Sequence, residues 1–159
     1  MSVADIGAGT GYFSLPIAQQ IGNTGKLFAV DFQDEMLDHI RKKLGRQEAP
    51  RNIELKHGEA VATTLRDQSV DLVYLANVWH ELDDQGTVLN EAKRILRPGG
   101  ELAILDWRPD VVQPPGPPLQ HRVAPDAVAL TAQREGWTLL SMGHVGVYSY
   151  LVQARVPAR

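Results

Sequence analysis

The stretch Asp5-Ile6-Gly7-Ala8-Gly9-Thr10-Gly11-Tyr12 lies between a predicted strand, Val3 to Ile6, and a predicted helix, about Tyr12 to Ile21. Its three alternating glycines allow the backbone to turn tightly and to approach a ligand with no Cβ in the way. The helix N-terminus behind the turn adds unpaired N–H groups and a partial positive charge. Glycines also serve tight turns for structural reasons alone, but this position between strand and helix favours a ligand-binding loop.

An acid that suits such a loop is Asp31, which follows the second predicted strand, Lys26 to Val30, twenty positions after Gly11. Doubly wound folds place an acid here to bind the two hydroxyls of a ribose. The structural alternative is that Asp31 caps the next predicted helix, Asp34 to Leu44. With the glycine loop upstream, we favour ribose binding.

The rest of the chain alternates short apolar runs with helical patterns, which is typical of βαβ units around a parallel sheet. We therefore predict an α/β fold with a Rossmann-like, doubly wound, seven-stranded sheet that is mostly parallel and has an antiparallel C-terminal strand. The further predicted strands are Ile53 to His57, Val70 to Ala76, Glu101 to Leu105, Thr138 to Met142 and Val147 to Arg155. Two further helices are predicted. The first has the inner face Val88, Ala92, Ile95 and Leu96, is capped by Asp83 or Asp84 and is ended by Pro98-Gly99-Gly100, and the second runs from Pro125 to Glu135.

Proline is concentrated between Pro109 and Pro125, which hold six of the ten prolines. The run Pro114-Pro115-Gly116-Pro117-Pro118 is incompatible with a helix or an interior strand. Such a segment can be a domain linker, but only about forty residues follow it, too few for a second core. We predict one domain over residues 1–159, with a proline-rich loop over residues 108–123.

Composition excludes several classes of function. The 159 residues include no cysteine, which excludes disulfides, cysteine-based zinc or iron–sulfur sites and thiol chemistry. The scattered histidines His39, His57 and His144 have no ligand spacing, so we predict no metal site. A net charge of −3 and the lack of a signal or membrane-spanning segment predict a cytoplasmic protein that binds neither nucleic acid nor membrane.

The spacing of the glycines and three later motifs point to one family. A dinucleotide-binding fingerprint would need glycine at position 12, where Tyr12 stands, so the loop is instead G-x-G-x-G with an acid two residues before its first glycine. The later motifs are Gly58-Glu59-Ala60 after the third strand, Ser69-Val70-Asp71-Leu72-Val73 in the fourth, and Leu96-Arg97-Pro98-Gly99-Gly100-Glu101-Leu102 before the fifth. This ordered set resembles class I S-adenosylmethionine-dependent methyltransferases, in the branch that includes quinone-biosynthesis C-methyltransferases.

The resemblance implies S-adenosylmethionine as the cofactor and assigns roles by motif position. Gly7, Ala8 and Gly9 would pass under the methionine moiety, and Asp5 would hold the loop or the amino group. The remaining assignments are Asp31 to the ribose, Glu59 and the Ala60 amide to adenine, Phe32 to the adenine ring or to the core, and Asn77 to the sulfonium.

Methyl transfer from a sulfonium requires alignment and exclusion of water, and a base is useful where the acceptor must lose a proton. His80, in Asn77-Val78-Trp79-His80-Glu81, is the candidate base; the alternative is that it packs at the start of the next helix. Asp106 and Trp107, which end the fifth strand, are candidates for the pocket wall, and Trp107 is alternatively part of the core. The candidates for acceptor binding are Trp79, His80, His121 and Arg122, the last two being alternatively part of a solvated loop.

We therefore predict S-adenosylmethionine-dependent methylation of a small-molecule acceptor. The alternative is a non-catalytic, methyltransferase-like cofactor-binding or partner subunit, and a nicotinamide-dependent oxidoreductase ranks third. Members of the family usually carry a helical leader before the glycine loop, whereas Met1 lies four residues before Asp5. We expect either a chain that lacks its leader, or cover for the cofactor from the proline-rich loop and a second copy in a homodimer.

Overall fold

One seven-stranded sheet organises the computed structural model, which describes residues 1–112 and 115–157. The strand order is β3-β2-β1-β4-β5-β7-β6, and β7 is antiparallel to both of its neighbours while β1 to β5 pair in parallel. The predicted fold class is confirmed. The strands are β1 Ser2–Ile6, β2 Lys26–Asp31, β3 Ile53–His57, β4 Val70–Ala76, β5 Leu96–Trp107, β6 Thr138–Val145 and β7 Ser149–Arg155; the helices are α1 Ser14–Ile21, α2 Asp34–Leu44, α3 Gln85–Ile95 and α4 Pro125–Arg134.

The central strands of the sheet are buried on both faces because helices cover each one, whereas the edge strand β6 is largely exposed. Side chains alternate along a strand, so Val3 of β1 packs with α1 and α2 while Ala4 and Ile6 pack with α3 and α4. This explains why consecutive residues of β1 and β2, such as Val3 to Ile6 and Ala29 to Asp31, are buried, instead of only every second one. Within residues 1–112 and 115–157, no helix is long and apolar enough to cross a membrane.

The start of α1 and the two ends of α3 differ from the sequence prediction. Gly11 has a φ of +81°, so α1 begins only at Ser14 rather than at Tyr12. Asp84, and not Asp83, caps α3, because its Oδ1 accepts a hydrogen bond of 3.0 Å from the Thr87 N–H. Leu96, predicted on the inner face of that helix, instead begins β5 and pairs with Val70.

The proline-rich segment joins β5 to α4. Its described parts, 108–112 and 115–123, contain no strand or α-helix. They contain one short 3-10 turn, at Leu119–His121. The predicted run of prolines begins at Pro114, which lies outside the described residues, as does Gln113.

Candidate active site

A cleft of about 650 Å³ opens at the carboxyl ends of β1, β2, β3 and β4. It lies where the strand order reverses, with β2 on one side of β1 and β4 on the other, and open α/β sheets bind ligands at this position. The cleft is lined by residues from the glycine loop, the ends of β2 and β3, and the segment after β4: Gly7, Gly9, Asp31, Phe32, Gln33, Met36, Gly58, Glu59, Ala60, Val61, Ala76, Asn77, Val78, Glu81, Leu82, Asp83, Asp84 and Val88.

The glycine loop forms the floor of the cleft. Gly7 has a φ of +73° and its N–H donates to the Val30 carbonyl over 2.8 Å, which fixes the loop on β2. A Cβ on Gly7 would lie 2.5 Å from Cγ2 of Val78, whereas a Cβ on Gly9 would meet nothing within 4 Å. Gly7 is therefore needed for packing, and Gly9 leaves room for a ligand.

Asp31 joins the end of β2 to the glycine loop. Its Oδ2 accepts a hydrogen bond of 2.9 Å from the Gly9 N–H, and its Oδ1 accepts one of 2.9 Å from the Gln33 N–H. The second bond is the helix-side contact that the capping alternative expected, since Gln33 precedes α2. Each carboxylate oxygen retains a further lone pair that can accept a ligand hydroxyl.

Asp5 lies under the loop and is 1% exposed. The Ser14 hydroxyl donates to its Oδ2 over 2.5 Å, which ties β1 to the start of α1. Burial raises the pKa of Asp5 to about 6; the Ser14 hydrogen bond opposes this shift, and the nearby charge of Asp31 adds to it. Asp5 thus shapes the loop from below and does not line the cleft.

The segment after β3 brings Glu59 and Ala60 to the cleft, opposite Phe32. The Phe32 ring is 60% exposed, so the alternative core role for this residue is wrong. A Cβ on Gly58 would lie 2.8 Å from the Thr63 carbonyl oxygen, and this close approach explains the glycine before Glu59.

A buried carboxylate that the sequence analysis missed holds this segment in place. Oε1 of Glu91, on α3, accepts hydrogen bonds from the Thr63 N–H and hydroxyl over 2.7 and 2.6 Å. Glu91 also pairs with Arg94, and its pKa is lowered because these hydrogen bonds outweigh its burial. The sequence contained a sign of this role: Glu91 lies three residues after Val88, on the apolar face of the helix, where a charged residue is expected to have a buried partner.

Asn77 is the strained residue of the site. It has a φ of +58° directly after β4, and its N–H donates to the Leu105 carbonyl over 2.8 Å. Its side-chain Oδ1 is buried and has no hydrogen-bond partner among the described residues. Unpaired buried acceptors are costly, so this atom fits a ligand that brings its own N–H or O–H. A nucleoside cofactor with an amino acid chain supplies such donors.

His80 and Asp106 form a nearly buried pair beside the cleft. The His80 side chain is 7% exposed, and its Nδ1 lies 2.8 Å from Oδ1 of Asp106. Its Nε2 lies 3.6 Å from Oε1 of Glu81, a cleft-lining residue whose side chain is 72% exposed. The imidazole therefore has one nitrogen on a fixed carboxylate and the other near Glu81, and His80, the predicted base, is not itself among the residues that line the cleft.

Trp79 does not support the acceptor role predicted for it. Its side chain is fully buried in the core with Leu75 and Val88 and is absent from the cleft lining. In the 3-10 turn Trp79–Glu81, neighbouring side chains leave the backbone in different directions, so Trp79 enters the core while Glu81 reaches solvent.

Arg122 also has a different role from the predicted one. Its guanidinium donates to the backbone carbonyls of Arg108, Pro115 and Pro117 over 2.9 to 3.0 Å and lies 5.8 Å from the Trp107 ring centre. Its donors are thus engaged with the loop, and neither Arg122 nor exposed His121 lines the cleft. Arg122 thus holds the proline-rich loop against Trp107, and we call this set of contacts the Arg122 clasp.

We expect Arg122→Lys to loosen this loop without unfolding the sheet, because an ammonium cannot reach three carbonyls in the fixed fork of a guanidinium. Amide hydrogen exchange of residues 119–123 should become about tenfold faster, which corresponds to a loss of about 1.4 kcal/mol of local stability. Arg155→Lys, at an exposed pair with Glu101, is the control. Unchanged exchange in the Arg122 variant would show that the prolines alone hold the loop.

Among the described residues, no group of three or more His, Cys, Asp or Glu side chains is arranged to hold a metal ion. Three of the acids in or near the site, Asp31, Glu91 and Asp106, instead accept local hydrogen bonds.

Comparison with known proteins agrees with this geometry. The family model for the methyltransferase domain, Methyltransf_11, matches residues 4–104. A crystal structure of a SAM-dependent methyltransferase from Aquifex aeolicus superposes with a TM-score of 0.92 at 30% identity, covering 99% of this chain and 82% of that one. One from Mesorhizobium loti, at 17% identity and a TM-score of 0.76, covers 98% of this chain and 90% of that one and shares the fold.

Curated relatives match over a shorter region. The demethylmenaquinone methyltransferase of Lactobacillus johnsonii is 35% identical over 102 residues, which are 64% of this chain and 42% of that protein. That of Lactococcus lactis is 33% identical over 106 residues, 67% of this chain and 42% of that protein. The matched region thus spans about two fifths of these relatives.

The chain belongs to the family of S-adenosylmethionine-dependent methyltransferases. The family and the cofactor predicted from the glycine spacing and the later motifs are therefore confirmed, and the dinucleotide-dependent alternative is not supported.

Proposed function

We propose that this chain is one methyltransferase domain that transfers a methyl group from S-adenosylmethionine to a small-molecule acceptor. The observation that carries the proposal is the cleft at the reversal of strand order, which combines an open glycine floor, a carboxylate at the end of β2 and an unpaired amide oxygen at Asn77. No feature of the described residues favours the non-catalytic alternative.

When bound, S-adenosylmethionine supplies an electrophilic methyl carbon with a good leaving group. The proposed role of the chain is to bind and orient: Gly7, Ala8 and Gly9 under the amino acid part, and Asp31 at the ribose. Glu59, the Ala60 amide and the exposed Phe32 ring would hold the adenine, and Asn77 Oδ1 would accept from a cofactor N–H or O–H. Asp5 would support the loop through Ser14.

The acceptor class we propose is an aromatic hydroquinone. Two curated relatives are named for methylation of demethylmenaquinone, and the cleft wall near Glu81 includes the apolar side chains of Val78, Leu82 and Val88. A ring hydroxyl that loses its proton donates electrons to the ring and makes a ring carbon a better nucleophile. His80, whose Nε2 faces Glu81, is the proposed base.

Asp31→Ala tests the cofactor part of the proposal. We expect the affinity for S-adenosylmethionine to fall about 100-fold, because two hydrogen bonds to a charged acceptor are worth about 1.5–3 kcal/mol each and part of their loss is recovered by water. Calorimetric titration with S-adenosylmethionine, S-adenosylhomocysteine and NAD measures this. The parent chain should bind the first two and not NAD.

The matched control is Asp38→Ala on helix α2, which follows Asp31 in the chain; there the exposed carboxylate pairs with Arg41 away from the cleft. Circular dichroism confirms that both variants fold. If folded Asp31→Ala binds the cofactor as tightly as the parent, the ribose assignment is wrong. If the parent binds none of the three ligands, the proposed function is wrong.

The acceptor is tested with 1,4-naphthohydroquinone kept reduced, followed by mass spectrometry of the oxidised product. A gain of one methyl group on a ring carbon supports the proposal, and methylation of other phenols alone would redirect it to a different acceptor class.

We also propose a cytoplasmic location and no nucleic-acid partner, supported by the net charge of −3 and the absence of a basic stripe in the sequence. The homodimer remains a prediction, which the sedimentation coefficient of the purified chain measures.

A further inference from the structure

Asp106 is a buried carboxylate surrounded by three donors. It is 1% exposed at the end of β5, where Oδ2 accepts from the His80 N–H over 3.0 Å and Oδ1 accepts from the Trp107 N–H over 2.7 Å. The imidazole Nδ1 of His80 completes the set at 2.8 Å from Oδ1. Two backbone N–H groups thus fix the carboxylate, and the carboxylate in turn meets the ring.

These contacts determine which nitrogen of His80 carries the proton. An ionised carboxylate only accepts hydrogen bonds, so the Nδ1 at 2.8 Å must be the donor. In a neutral imidazole the other nitrogen, Nε2, then holds the free lone pair. The two backbone N–H groups also hold the carboxylate in position, which keeps Oδ1 against Nδ1.

We propose that Asp106 is the positioning residue of the methyl transfer: it holds His80 as the Nδ1–H tautomer, so that Nε2, which lies 3.6 Å from the cleft-lining Glu81, is the proton acceptor. This inference rests on the proposed function and names the residue and the atom through which it works. It also explains why the carboxylate is buried beside a polar ring instead of being replaced by an apolar residue.

The proton transfer balances as follows in the proposed reaction. The acceptor O–H bond breaks as an Nε2–H bond forms, giving an imidazolium whose charge is countered by Asp106. Once the ring carbon has gained the methyl group, with the old C–S bonding pair left on sulfur, that carbon loses its C–H proton and the acceptor oxygen regains one, so that one proton is released in total. The other groups near the pair are Glu81, which is exposed and 3.6 Å from Nε2, and Tyr150, whose hydroxyl donates to the Val123 carbonyl. The Tyr150 hydroxyl stays protonated, since burial and the charge of Asp106 raise its pKa. The proton leaves through Glu81 to solvent.

The tautomer is measured without any acceptor or cofactor, by 15N-edited NMR of the histidine rings in the parent chain. We expect His80 to be Nδ1–H, in contrast to the Nε2–H form that free histidine favours in water. An Nε2–H signal for His80 would overturn the proposal. Asp106→Asn should lose the Nδ1–H preference, because an amide can present its NH2 to Nδ1.

A matched control is the other aspartate–histidine contact, between His57 Nδ1 and Asp34 Oδ1 at 2.8 Å. Both of its side chains are largely exposed, so Asp34→Asn should leave the His80 signals and the methyl transfer unchanged. The His57–Asp34 contact also tests the effect of burial. Because water competes for the exposed His57 ring, we expect His57 to populate both tautomers although its Nδ1–Oδ1 distance is the same as in the buried pair.

Kinetics separates positioning from binding. With 1,4-naphthohydroquinone as acceptor, Asp106→Asn should lower kcat about 100-fold with KM within about twofold, which is the range of general base catalysis. The double variant Asp106→Asn/His80→Gln should lose little more than His80→Gln alone. A fall caused by KM would assign Asp106 to acceptor binding and overturn the proposal. If the parent chain shows the Nδ1–H tautomer of His80 but does not methylate 1,4-naphthohydroquinone, the proposed acceptor is wrong, whereas the pairing of His80 with Asp106 is supported.

Discussion

Asp5→Asn is expected to raise the free energy of unfolding at pH 7 by about 3 kcal/mol. The pKa of Asp5 rises from 3.8 to about 6 on folding, mainly because the carboxyl is buried. The folded state therefore binds the proton more tightly than the unfolded state, and stability falls as pH rises from about 4 to about 6, by about 1.4 kcal/mol for each unit of pKa shift. Above pH 6 the whole penalty is present.

Asparagine removes this penalty because it is neutral at every pH, and its Oδ1 can still accept the Ser14 hydrogen bond. Urea unfolding at pH 4 and pH 7 measures the effect: the variant should gain stability at pH 7 and almost none at pH 4. We also expect weaker binding of S-adenosylmethionine, since the negative charge under the loop attracts the cationic cofactor. A stabilised variant with poorer binding is the usual cost of a functional site.

Asp71→Asn is the control with the opposite sign. The pKa of Asp71 is lowered, first by the Ser2 N–H and also by Arg97, so its charge stabilises the fold at pH 7 and is lost as pH falls. The Asp71 variant should therefore be less stable than the parent at pH 7. Equal pH dependence of unfolding in the parent and in Asp5→Asn would contradict the buried-charge account.

The second large effect is expected at Gly7. Gly7→Ala should destabilise the fold by about 2–5 kcal/mol, since alanine at a φ of +73° costs roughly 1–2 kcal/mol and its Cβ would lie 2.5 Å from Val78. Gly9→Ala has a similar φ, +55°, but open space, so it should cost only about 1 kcal/mol in stability. Its methyl group would instead occupy the cleft floor and weaken cofactor binding at least about tenfold.

Thermal unfolding and calorimetry together test this contrast. Gly146→Ala, in the turn between β6 and β7, is the matched control because its φ is +63°, no atom lies within 4 Å of its Cβ, and it is outside the cleft. It should match Gly9→Ala in stability and the parent in binding. If Gly9→Ala binds the cofactor normally, the floor of the cleft is not where the ligand lies.

The cofactor half of the cleft could be predicted from the sequence because its residues follow strands directly. Gly7, Gly9 and Asp31 are positioned by the ends of β1 and β2, and parallel neighbours bring those ends together at one edge. Local patterns also fixed the bounds of α2, β3 and β4. The side-chain partners of Asp5 and Asp31 needed the structure, since they depend on how the loop turns between the strands.

The acceptor half could be predicted only in part, because its contacts join distant positions. The pairing of His80 with Asp106 spans 26 residues and depends on the register of β4 and β5 and on the conformation of Asn77. Trp79 and Arg122 are residue types that recur in binding sites, yet one fills the core and the other closes a loop. Composition could not distinguish these uses.

The Arg122 clasp has a consequence for how this protein can change. Its guanidinium binds main-chain carbonyls, which every residue type supplies, so these three hydrogen bonds do not require particular side chains at Pro115, Pro117 and Arg108. The cofactor residues lie on separate segments of the chain. A directed-evolution library that randomises residues 118–121 while keeping Arg122 and Trp107 should therefore retain folded, cofactor-binding members at high frequency.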